Sequence, residues 1–298
     1  MTAPVTLRAA IGDYPHTRAI KDGTLSGEGV AFDFAAIDPI HAAFAPMVRD
    51  LAFDLSELAI VTALQALAYD RPIILLPLVL NARFQRKCLV GYRPRGLVDP
   101  ADLRGRTIGV RAYTQTTGMW VRAALLEDYG LATSAIRWRT RDPAHVADYV
   151  DPAFVEHDET GKSLPDQLRD GDLAGAIMGA DMPDDPDFVP LMRNHVAADQ
   201  RSYDRHGFMP VNHMVAVSAT AAARAPDAIR AAYRLFTRAI DASPTAPRQP
   251  AVAAHGFATL SARVDYAIDE ALRQQLLPSA MSVEQVWEPA KRLLGADA

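Results

Sequence analysis

The sequence predicts an α/β protein with two lobes, a ligand cleft between the lobes and two crossovers of the chain. Three observations support this fold class. Apolar segments with strand character alternate with amphipathic helical patterns, which is typical of largely parallel sheets. With 298 residues, the chain is long enough for about two domains. A Pro- and Gly-rich segment over 93–106 divides the alternating pattern, and a buried strand pattern resumes at Val211.

The first lobe is predicted from both ends of the chain. Strands and helices alternate up to the Pro- and Gly-rich segment, and an Ala-rich, mainly helical region near the C-terminus completes the lobe. We expect strands over 5–11, 31–36, 72–80, 85–92 and 211–217, and helical patterns over 40–50 and 55–68. The first lobe therefore contains residues 1–104 and 207–298.

The second lobe is predicted as an inserted α/β unit over 105–206. We expect strands over 107–110, 136–139 and 173–178, and helices over 117–129 and 164–169. In such sheets, ligands bind beyond the carboxyl ends of strands and beside helix N-termini. The polar residues at those strand ends are therefore the candidates for a functional site.

Composition and charge exclude several classes of function. The chain has 31 Lys and Arg against 36 Asp and Glu, which gives a net charge of −5. This charge is not typical of proteins that bind nucleic acid. The longest apolar block, 72–80, is far shorter than the ~20 residues of a membrane helix, and the N-terminus lacks a signal-peptide pattern. One cysteine, Cys88, excludes an internal disulfide framework. We expect a cytoplasmic protein that binds neither nucleic acid nor membrane, and a homo-oligomer stays open.

The first predicted strand ends in a dense group of polar residues. The segment GDYPHTR, over 12–18, contains His16 and Arg18. This density of hydrogen-bonding side chains indicates a functional site. An ordinary polar loop before a helix, with Thr17 as the N-cap, explains the segment equally well.

Two further segments have competing explanations. Asp54 and Glu57 have the spacing of a capping box, and this is the favoured interpretation. In the alternative, Ser56 and Glu57 face a ligand. Arg83 and Arg86 belong to a basic cluster after the strand 72–80. A solvated face is favoured for this cluster, although planar guanidinium groups also suit bidentate carboxylate binding.

The segment GVRAYTQTTGMW, over 109–120, predicts an anion site. A strand ends near residue 110 and a helix begins near residue 116, so backbone N–H groups and the positive end of the helix dipole meet there. The side chains that would join them are Arg111, Tyr113, Thr114, Thr116 and Thr117. Ordinary capping by threonine is the alternative. Walker, GxGxxG and GxSxG motifs are absent from the sequence.

The strand that resumes at residue 211 carries Asn212 and His213 within an apolar run. A core histidine is the favoured explanation for His213, and a site residue is the alternative. Asp181, which follows another predicted strand, is a further carboxylate candidate. Together with His16 and Glu57, these residues leave a divalent metal site open, although no metal-binding motif occurs.

Five segments carry a resemblance to a known family. They are GDYPHTR, FDLSELAIVTALQA, RFQ, GVRAYTQTTGMWVRAALLEDYG and PVNHMVAV, in this order along the chain. The sequence resembles the 4,5-dihydroxyphthalate decarboxylase family, whose fold is similar to type 2 periplasmic binding proteins. The resemblance extends over most of the chain and implies the same two-crossover layout.

The resemblance implies a carbon–carbon lyase of phthalate degradation and aromatic catabolism. Such an enzyme converts 4,5-dihydroxyphthalate, or a close aromatic dicarboxylate, to protocatechuate and CO2 without an oxidant. A hydroxyl group para to the departing carboxylate supplies electrons to the ring, so no organic cofactor is required in principle. A divalent metal stays an alternative.

The resemblance implies three roles for the candidate residues. One substrate carboxylate would be held by the anion site of the second lobe, and the other by Arg18, Arg83 or Arg86. His16 or His213 would deliver a proton to the ring. Glu57 or Asp181 would orient the histidine or accept a phenolic hydrogen bond.

Two other functions stay open. A non-catalytic binding protein for an aromatic carboxylate or sulfonate anion has the same fold, because fold does not fix function. An enzyme acting on another aromatic carboxylate is a third candidate, and it ranks lower because a ring without the activating hydroxyl loses carboxylate less readily. Turnover of the diacid separates the enzymes from the binding protein.

Overall fold

The computed structural model describes residues 3–179, 182–243, 250–296 and 298, and these form two α/β units with a six-stranded sheet each. The α/β class predicted from the sequence is confirmed. The strands of the described residues are β1 (Val5–Ala10), β2 (Val30–Phe34), β3 (Leu55–Ala59), β4 (Ile73–Ala82), β5 (Leu89–Tyr92), β6 (Thr107–Val110), β7 (Arg137–Thr140), β8 (Val155–His157), β9 (Gly175–Ile177), β10 (Phe188–Pro190), β11 (Val211–Ser218) and β12 (Ala254–His255).

The α-helices alternate with these strands, except for a helical region near the C-terminus. Within the described residues they are α1 (Pro15–Lys21), α2 (Phe44–Asp50), α3 (Ile60–Ala68), α4 (Thr116–Tyr129), α5 (Leu164–Asp170), α6 (His195–His206), α7 (Ala219–Arg224), α8 (Pro226–Asp241), α9 (Phe257–Arg273) and α10 (Val283–Leu294). In this part of the chain, no helix combines the length and the apolar character needed to cross a membrane.

The first unit consists of Met1–Arg83, Val211–Leu272 and Leu277–Ala298. Its strands lie in the order β12-β4-β11-β3-β1-β2. Strand β1 is parallel to β2 and β3, and β11 runs antiparallel to both β3 and β4. The carboxyl ends of β1, β3 and β4 therefore lie at the same edge of the sheet as the beginning of β11.

One hydrophobic cluster of the first unit lies between its sheet and helix α8. Leu7 of β1 and Leu55 of β3 are fully buried in one cluster with Ile229 and Phe236 of α8. The apolar residues of α8 recur every three or four positions, so they form one face of the helix. Full burial of each such side chain contributes about 1.5–3 kcal/mol. This packing holds the sheet that carries the polar residues at its edge.

The segment 55–68 is not the single helix that its apolar spacing predicts. Leu55–Ala59 is the strand β3, and α3 begins only at Ile60. All residues of β3 are buried, so side chains on both faces of this strand are covered, as Leu55 is by the cluster that includes α8. A strand covered on both faces loses the alternation of apolar and polar residues that identifies strands in a sequence. The helical prediction for 55–59 is therefore wrong.

The second unit consists of Phe84–Pro210 and Arg273–Leu276. Its strands lie in the order β10-β5-β9-β6-β7-β8, with β6, β7, β8 and β9 parallel. This unit begins earlier than the predicted boundary at residue 105. The reason is that β5 pairs antiparallel with β9 and β10, which places β5 in the second sheet.

Candidate functional site

Glu57 is the centre of a polar cluster in the first unit. Its side chain is fully buried. Oε2 accepts a hydrogen bond from the backbone N–H of Gly12 at 2.9 Å. Oε1 accepts hydrogen bonds from the Tyr14 hydroxyl and from Nδ1 of His213, both at 2.5 Å. Because an ionised carboxylate is only an acceptor, its two oxygens satisfy all three donors.

The sheet topology brings these residues together. His213 of β11 lies opposite Ala59 of β3, two residues beyond Glu57, so His213 and Glu57 form a diagonal pair on one face. Gly12 follows the end of β1, which is parallel to β3. The cluster therefore lies at the carboxyl ends of parallel strands, where α/β sheets bind their ligands.

Opposing effects set the ionisation of the buried carboxyl group. Burial alone would raise the pKa of Glu57. The hydrogen bond and charge of His213, together with the hydrogen bonds from Tyr14 and Gly12, outweigh burial and hold this pKa below its ordinary value. Burial, and then the Glu57 charge, raise the pKa of Tyr14. At neutral pH the cluster contains a Glu57 carboxylate and a neutral Tyr14 hydroxyl.

The contact with Glu57 also assigns the tautomer of His213. Since the carboxylate can only accept, the contact requires the proton on Nδ1 of His213. The imidazole ring packs edge-on against Phe44, with ring centroids 5.2 Å apart, and its side chain keeps 14% exposure. Nε2 of His213 is then the ring atom that can exchange a proton with a ligand.

His16 lies beside this cluster at the start of α1, in a different environment. Its ring is stacked on Tyr14, with centroids 5.3 Å apart and an interplanar angle of 6°. Burial lowers the pKa of His16, and the hydrogen bond to the Leu80 backbone and the Glu57 charge offset this only in part. His16 is therefore neutral at neutral pH. Among the described residues, Nε2 of His16 has no hydrogen-bond partner.

The predicted capping box of Asp54 and Glu57 is wrong, because Glu57 lies inside β3 rather than in the first turn of a helix. Asp54 instead accepts hydrogen bonds from the Arg8 backbone N–H and the Arg224 side chain, both at 2.9 Å. Ser56 is buried, and its hydroxyl donates to the Glu57 backbone carbonyl at 2.9 Å. We therefore find Ser56 in the strand backbone network rather than in the polar cluster.

Arg83 and Arg18, two of the arginines predicted to bind a carboxylate, differ in their relation to the cluster. Arg83 directly follows β4, is half-buried, and its positive charge acts on the Tyr14 hydroxyl. Arg18 is largely exposed, and its nearest acidic partner is Asp13 at 3.5 Å. Of these two arginines, Arg83 is the one whose charge acts on the cluster, because it lowers the pKa of Tyr14.

Arg86 lies in the second unit and is held by the protein's own carboxylates. It is buried and forms ion pairs with Glu127 at 2.5 Å, Asp128 at 2.8 Å and Asp199 at 3.1 Å. The burial of Arg86 contradicts the solvated face that the sequence favoured for this cluster, while a role in binding a substrate carboxylate stays a prediction that these ion pairs do not support. Its guanidinium group neutralises acidic side chains that lie 41 to 113 residues away in the sequence. A local sequence pattern therefore cannot identify them as its partners.

The predicted anion site of the second unit is only partly assembled as expected. Helix α4 begins at Thr116, and Thr114, Thr116 and Thr117 are all buried at this end of the helix. Arg111 is partly exposed and lies 3.5 Å from Asp142. Anion binding at this helix N-terminus stays a prediction.

Tyr113 makes structural contacts in the second unit, and its predicted binding role stays a prediction. Its hydroxyl donates to the backbone carbonyl of Gln274 at 2.8 Å. The guanidinium group of Arg122 lies over the Tyr113 ring, 4.1 Å from its centroid, and donates to the Gln274 side chain. Burial raises the pKa of Tyr113 to about 12. Tyr113 therefore fixes the short segment Arg273–Leu276 to the second unit.

The remaining candidates concern the return strand and a metal. Asn212 is buried next to His213 on β11, and Asp181 lies outside the described residues. Within the described ranges, no group of three His, Cys, Asp or Glu side chains is arranged to hold a metal ion. A metal site that includes Asp181 stays a prediction.

Sequence reasoning missed Asn81 as a member of the cluster, and it assigned no role to Tyr14, although Tyr14 lies in the polar segment identified after the first strand. Asn81 of β4 lies opposite His213, and its side chain hydrogen-bonds the Tyr14 hydroxyl oxygen. Both residues occupy strand ends, Tyr14 inside GDYPHTR and Asn81 directly after the apolar run of β4. Their positions at strand ends are the sequence feature that could have indicated a role in the site.

Comparison with known proteins gives two similar sequences. No protein-family model matches the chain. The chain is 28% identical over 239 residues to a 4,5-dihydroxyphthalate decarboxylase from Comamonas testosteroni, covering 74% of this chain and 70% of the relative. It is 32% identical over 135 residues to a 4,5-dihydroxyphthalate decarboxylase from Pseudomonas putida, covering 45% of this chain and 52% of that relative.

Solved structures with the same fold include binding proteins and an enzyme. The alkanesulfonate-binding protein SsuA from Xanthomonas axonopodis pv. citri, bound to MOPS, is 14% identical with a TM-score of 0.55, covering 96% of this chain and 99% of that chain. The desulfurization enzyme DszB is 16% identical with a TM-score of 0.55, covering 94% and 95%. The chain therefore has a type 2 periplasmic-binding-protein-like fold and resembles the 4,5-dihydroxyphthalate decarboxylases in sequence.

Proposed function

We propose that this protein decarboxylates 4,5-dihydroxyphthalate, or a close aromatic dicarboxylate, to protocatechuate and CO2. The observation that carries the proposal is the hydrogen bond between the buried Glu57 carboxylate and Nδ1 of His213. This bond leaves Nε2 of His213 able to transfer a proton. The names of the two similar sequences support the substrate class.

The proposed reaction replaces a carboxylate group by a proton and therefore needs no oxidant or reductant. The ring hydroxyl para to the departing carboxylate pushes electrons into the ring, and the carbon that bears this carboxylate takes a proton from Nε2 of His213. The bond from this carbon to the carboxylate then breaks, its electron pair restores the aromatic ring, and CO2 leaves. Solvent returns the proton to His213.

Glu57 supports this step by charge and by orientation. Its carboxylate faces Nδ1 of His213, so it orients the imidazole ring and places a fixed negative charge beside the group that transfers the proton. The additional donors Tyr14 and Gly12 hold the carboxylate in place, so its orientation does not depend on the ligand. Such fixed electrostatic groups need little reorganisation during the reaction.

The first unit also offers a cation for the substrate. The charge of Arg83 acts on Tyr14, and its guanidinium group suits bidentate contact with a carboxylate. The proposed location of the reaction is the cytoplasm, because the single cysteine, Cys88, is a buried free thiol that suits a reducing compartment.

An activity assay tests the proposal. Purified protein is incubated with 4,5-dihydroxyphthalate, and CO2 and protocatechuate are measured for the wild type and for His213→Asn and Glu57→Gln. We expect turnover by the wild type, with kcat lower by about 10²- to 10⁴-fold in His213→Asn. His157→Asn, which changes an exposed histidine of β8, serves as the matched control and should keep full activity.

Two results would contradict the proposal. A wild-type protein that binds the diacid without forming CO2 would be a solute-binding protein. A His213→Asn variant with unchanged kcat would remove His213 as the proton donor.

A further inference from the structure

Nε2 of His16 is a buried polar atom that the protein leaves without a partner. No group of the described residues hydrogen-bonds this atom, and it has essentially no solvent-exposed surface. His16 is 4% exposed, and its ring stacks on Tyr14 with ring centroids 5.3 Å apart, so neighbouring groups restrict its position. An unpaired buried polar atom is costly, and its presence in a folded protein requires a specific reason.

The other ring nitrogen of His16 determines what kind of partner Nε2 needs. The ring hydrogen-bonds the backbone of Leu80, and this bond raises the pKa of His16. The Leu80 carbonyl is therefore the acceptor, and a ring N–H is the donor. Since Nε2 has no partner among the described residues, this bond belongs to the N–H at Nδ1. The ring is neutral because burial lowers its pKa. Nε2 therefore presents a lone pair, and the missing group must be a hydrogen-bond donor.

The substrate class offers one kind of donor. An ionised carboxylate is only an acceptor, so neither carboxylate of an aromatic dicarboxylate can complete Nε2. A ring hydroxyl can. His16 also belongs to the same cluster as the proposed proton donor, because its ring stacks on Tyr14 and Tyr14 shares Glu57 with His213.

We propose that His16 is a specificity-determining residue whose Nε2 accepts a hydrogen bond from a ring hydroxyl of the substrate. The site thereby selects hydroxylated aromatic acids over the same acids without hydroxyl groups. This inference rests on the proposed function for its substrate class. Discrimination of this kind is strong because a ligand without the hydroxyl leaves the buried acceptor unpaired in the complex.

The same hydrogen bond favours the reaction. When the ring carbon takes up a proton, the para hydroxyl carries part of the positive charge and becomes a stronger donor. Its bond to Nε2 of His16 therefore strengthens along the reaction path, which is the condition for an interaction to raise the rate.

Calorimetric binding measurements test the proposal. They use the His213→Asn protein at pH 7.5, so that turnover does not interfere, with 4,5-dihydroxyphthalate and phthalate as the two ligands. We expect the dihydroxy acid to bind tighter, and His16→Phe to reduce the affinity ratio of the two ligands by about 10- to 100-fold. His16→Gln, which keeps an acceptor oxygen at the end of its side chain, should retain most of the ratio.

Two outcomes would overturn the proposal. An unchanged ratio in His16→Phe, or an equal loss of affinity for both ligands, would show that His16 only packs against Tyr14 or binds an ordered water. A second measurement covers the case in which His16→Phe does not fold. The ¹⁵N resonance of Nε2 in His16 should shift when 4,5-dihydroxyphthalate is added and should stay in place with phthalate; a shift of equal size with both ligands contradicts the proposal.

The test is independent of catalysis. If the wild type releases no CO2 but the His16-dependent ratio is found, the decarboxylase function fails while the hydroxyl contact stands. If CO2 is released and the ratio does not depend on His16, the contact fails while the function stands.

Discussion

Two histidines at one sheet edge have different environments, and this difference divides their roles. His213 contacts a buried carboxylate through Nδ1, so its protonated form has a counter-charge at 2.5 Å. His16 is stacked on Tyr14 and bonded to a backbone group, and burial lowers its pKa. The sequence left the proton donor open between the two residues. The contact with Glu57 favours His213, whereas the neutral state of His16 suits a hydrogen-bond acceptor.

The lowered pKa of His16 predicts a dependence of stability on pH. The unfolded chain takes up a proton at this residue as the pH falls through its ordinary value of 6.5, but the folded protein resists protonation. The unfolded state then binds more protons, so the free energy of unfolding decreases below about pH 6.5. Glu57, whose pKa is lowered from 4.5, adds a second decrease only at more acidic pH.

Urea unfolding at pH 5.5 and pH 7.5 checks this prediction. The wild type should lose stability between these values, and His16→Gln, which has no titrating group at this position, should lose less. His157→Gln, at an exposed position, is the control and should behave like the wild type. Equal losses in His16→Gln and the wild type would show that other groups cause the effect.

At the scale of secondary-structure elements, Arg86 connects the segment before β5 with α4 and α6. Its partners Glu127 and Asp128 belong to α4, and Asp199 belongs to α6. Removing one member of a buried ion network leaves the other charges without compensation, which costs about 3–5 kcal/mol. Arg86→Gln should therefore lower the free energy of unfolding by about this amount, as measured by urea titration.

Arg18 provides the matched comparison for Arg86. It is exposed, and its contact with Asp13 at 3.5 Å is a surface ion pair, worth at most about 1 kcal/mol. Arg18→Gln should leave the urea midpoint nearly unchanged. Similar effects of the two substitutions would contradict the structural role of Arg86.

The two buried tyrosines Tyr233 of α8 and Tyr113 before α4 predict opposite effects of the same substitution. The hydroxyl of Tyr233 is buried and has no hydrogen-bond partner among the described residues, whereas that of Tyr113 donates to Gln274 at 2.8 Å. Tyr233→Phe should leave stability unchanged or raise it by about 1 kcal/mol, and Tyr113→Phe should lower it by about 1–2 kcal/mol. The urea midpoints of both variants test this prediction. Changes in stability of the same sign in Tyr233→Phe and Tyr113→Phe would contradict it.

The sequence predicts individual elements better than the contacts between distant ones. Strands β1 and β11 are visible from apolar runs of the right length, and the polar residues that follow β1 were identified as site candidates. The spacing of Asp54 and Glu57 suggested a cap, because a local pattern cannot show that β3 is covered on both sides. The partners of Arg86 lie 41 to 113 residues away, so no local pattern indicates them.

At the scale of the whole molecule, the fold does not separate binding from catalysis. Structures of similar fold include an alkanesulfonate-binding protein and a desulfurization enzyme, at 14% and 16% identity. The distinction therefore depends on side chains at the strand ends. Here a buried carboxylate is paired with a histidine, whereas a site that only holds an anion has no need for a proton donor. This pair is what favours the enzyme.

Chelation tests whether this chemistry needs a metal ion. Both oxygens of Glu57 accept hydrogen bonds from protonated donors, including Nδ1 of His213, so the arrangement in the described residues is that of a hydrogen-bonded carboxylate. We therefore expect decarboxylation to keep its rate after the protein is treated with EDTA and freed of the chelator. Loss of CO2 release, followed by recovery when Mn²⁺ or Zn²⁺ is added, would contradict this expectation. It would instead make His16, His213 and Asp181 the first ligands to examine, because proton transfer from His213 would no longer explain the reaction by itself.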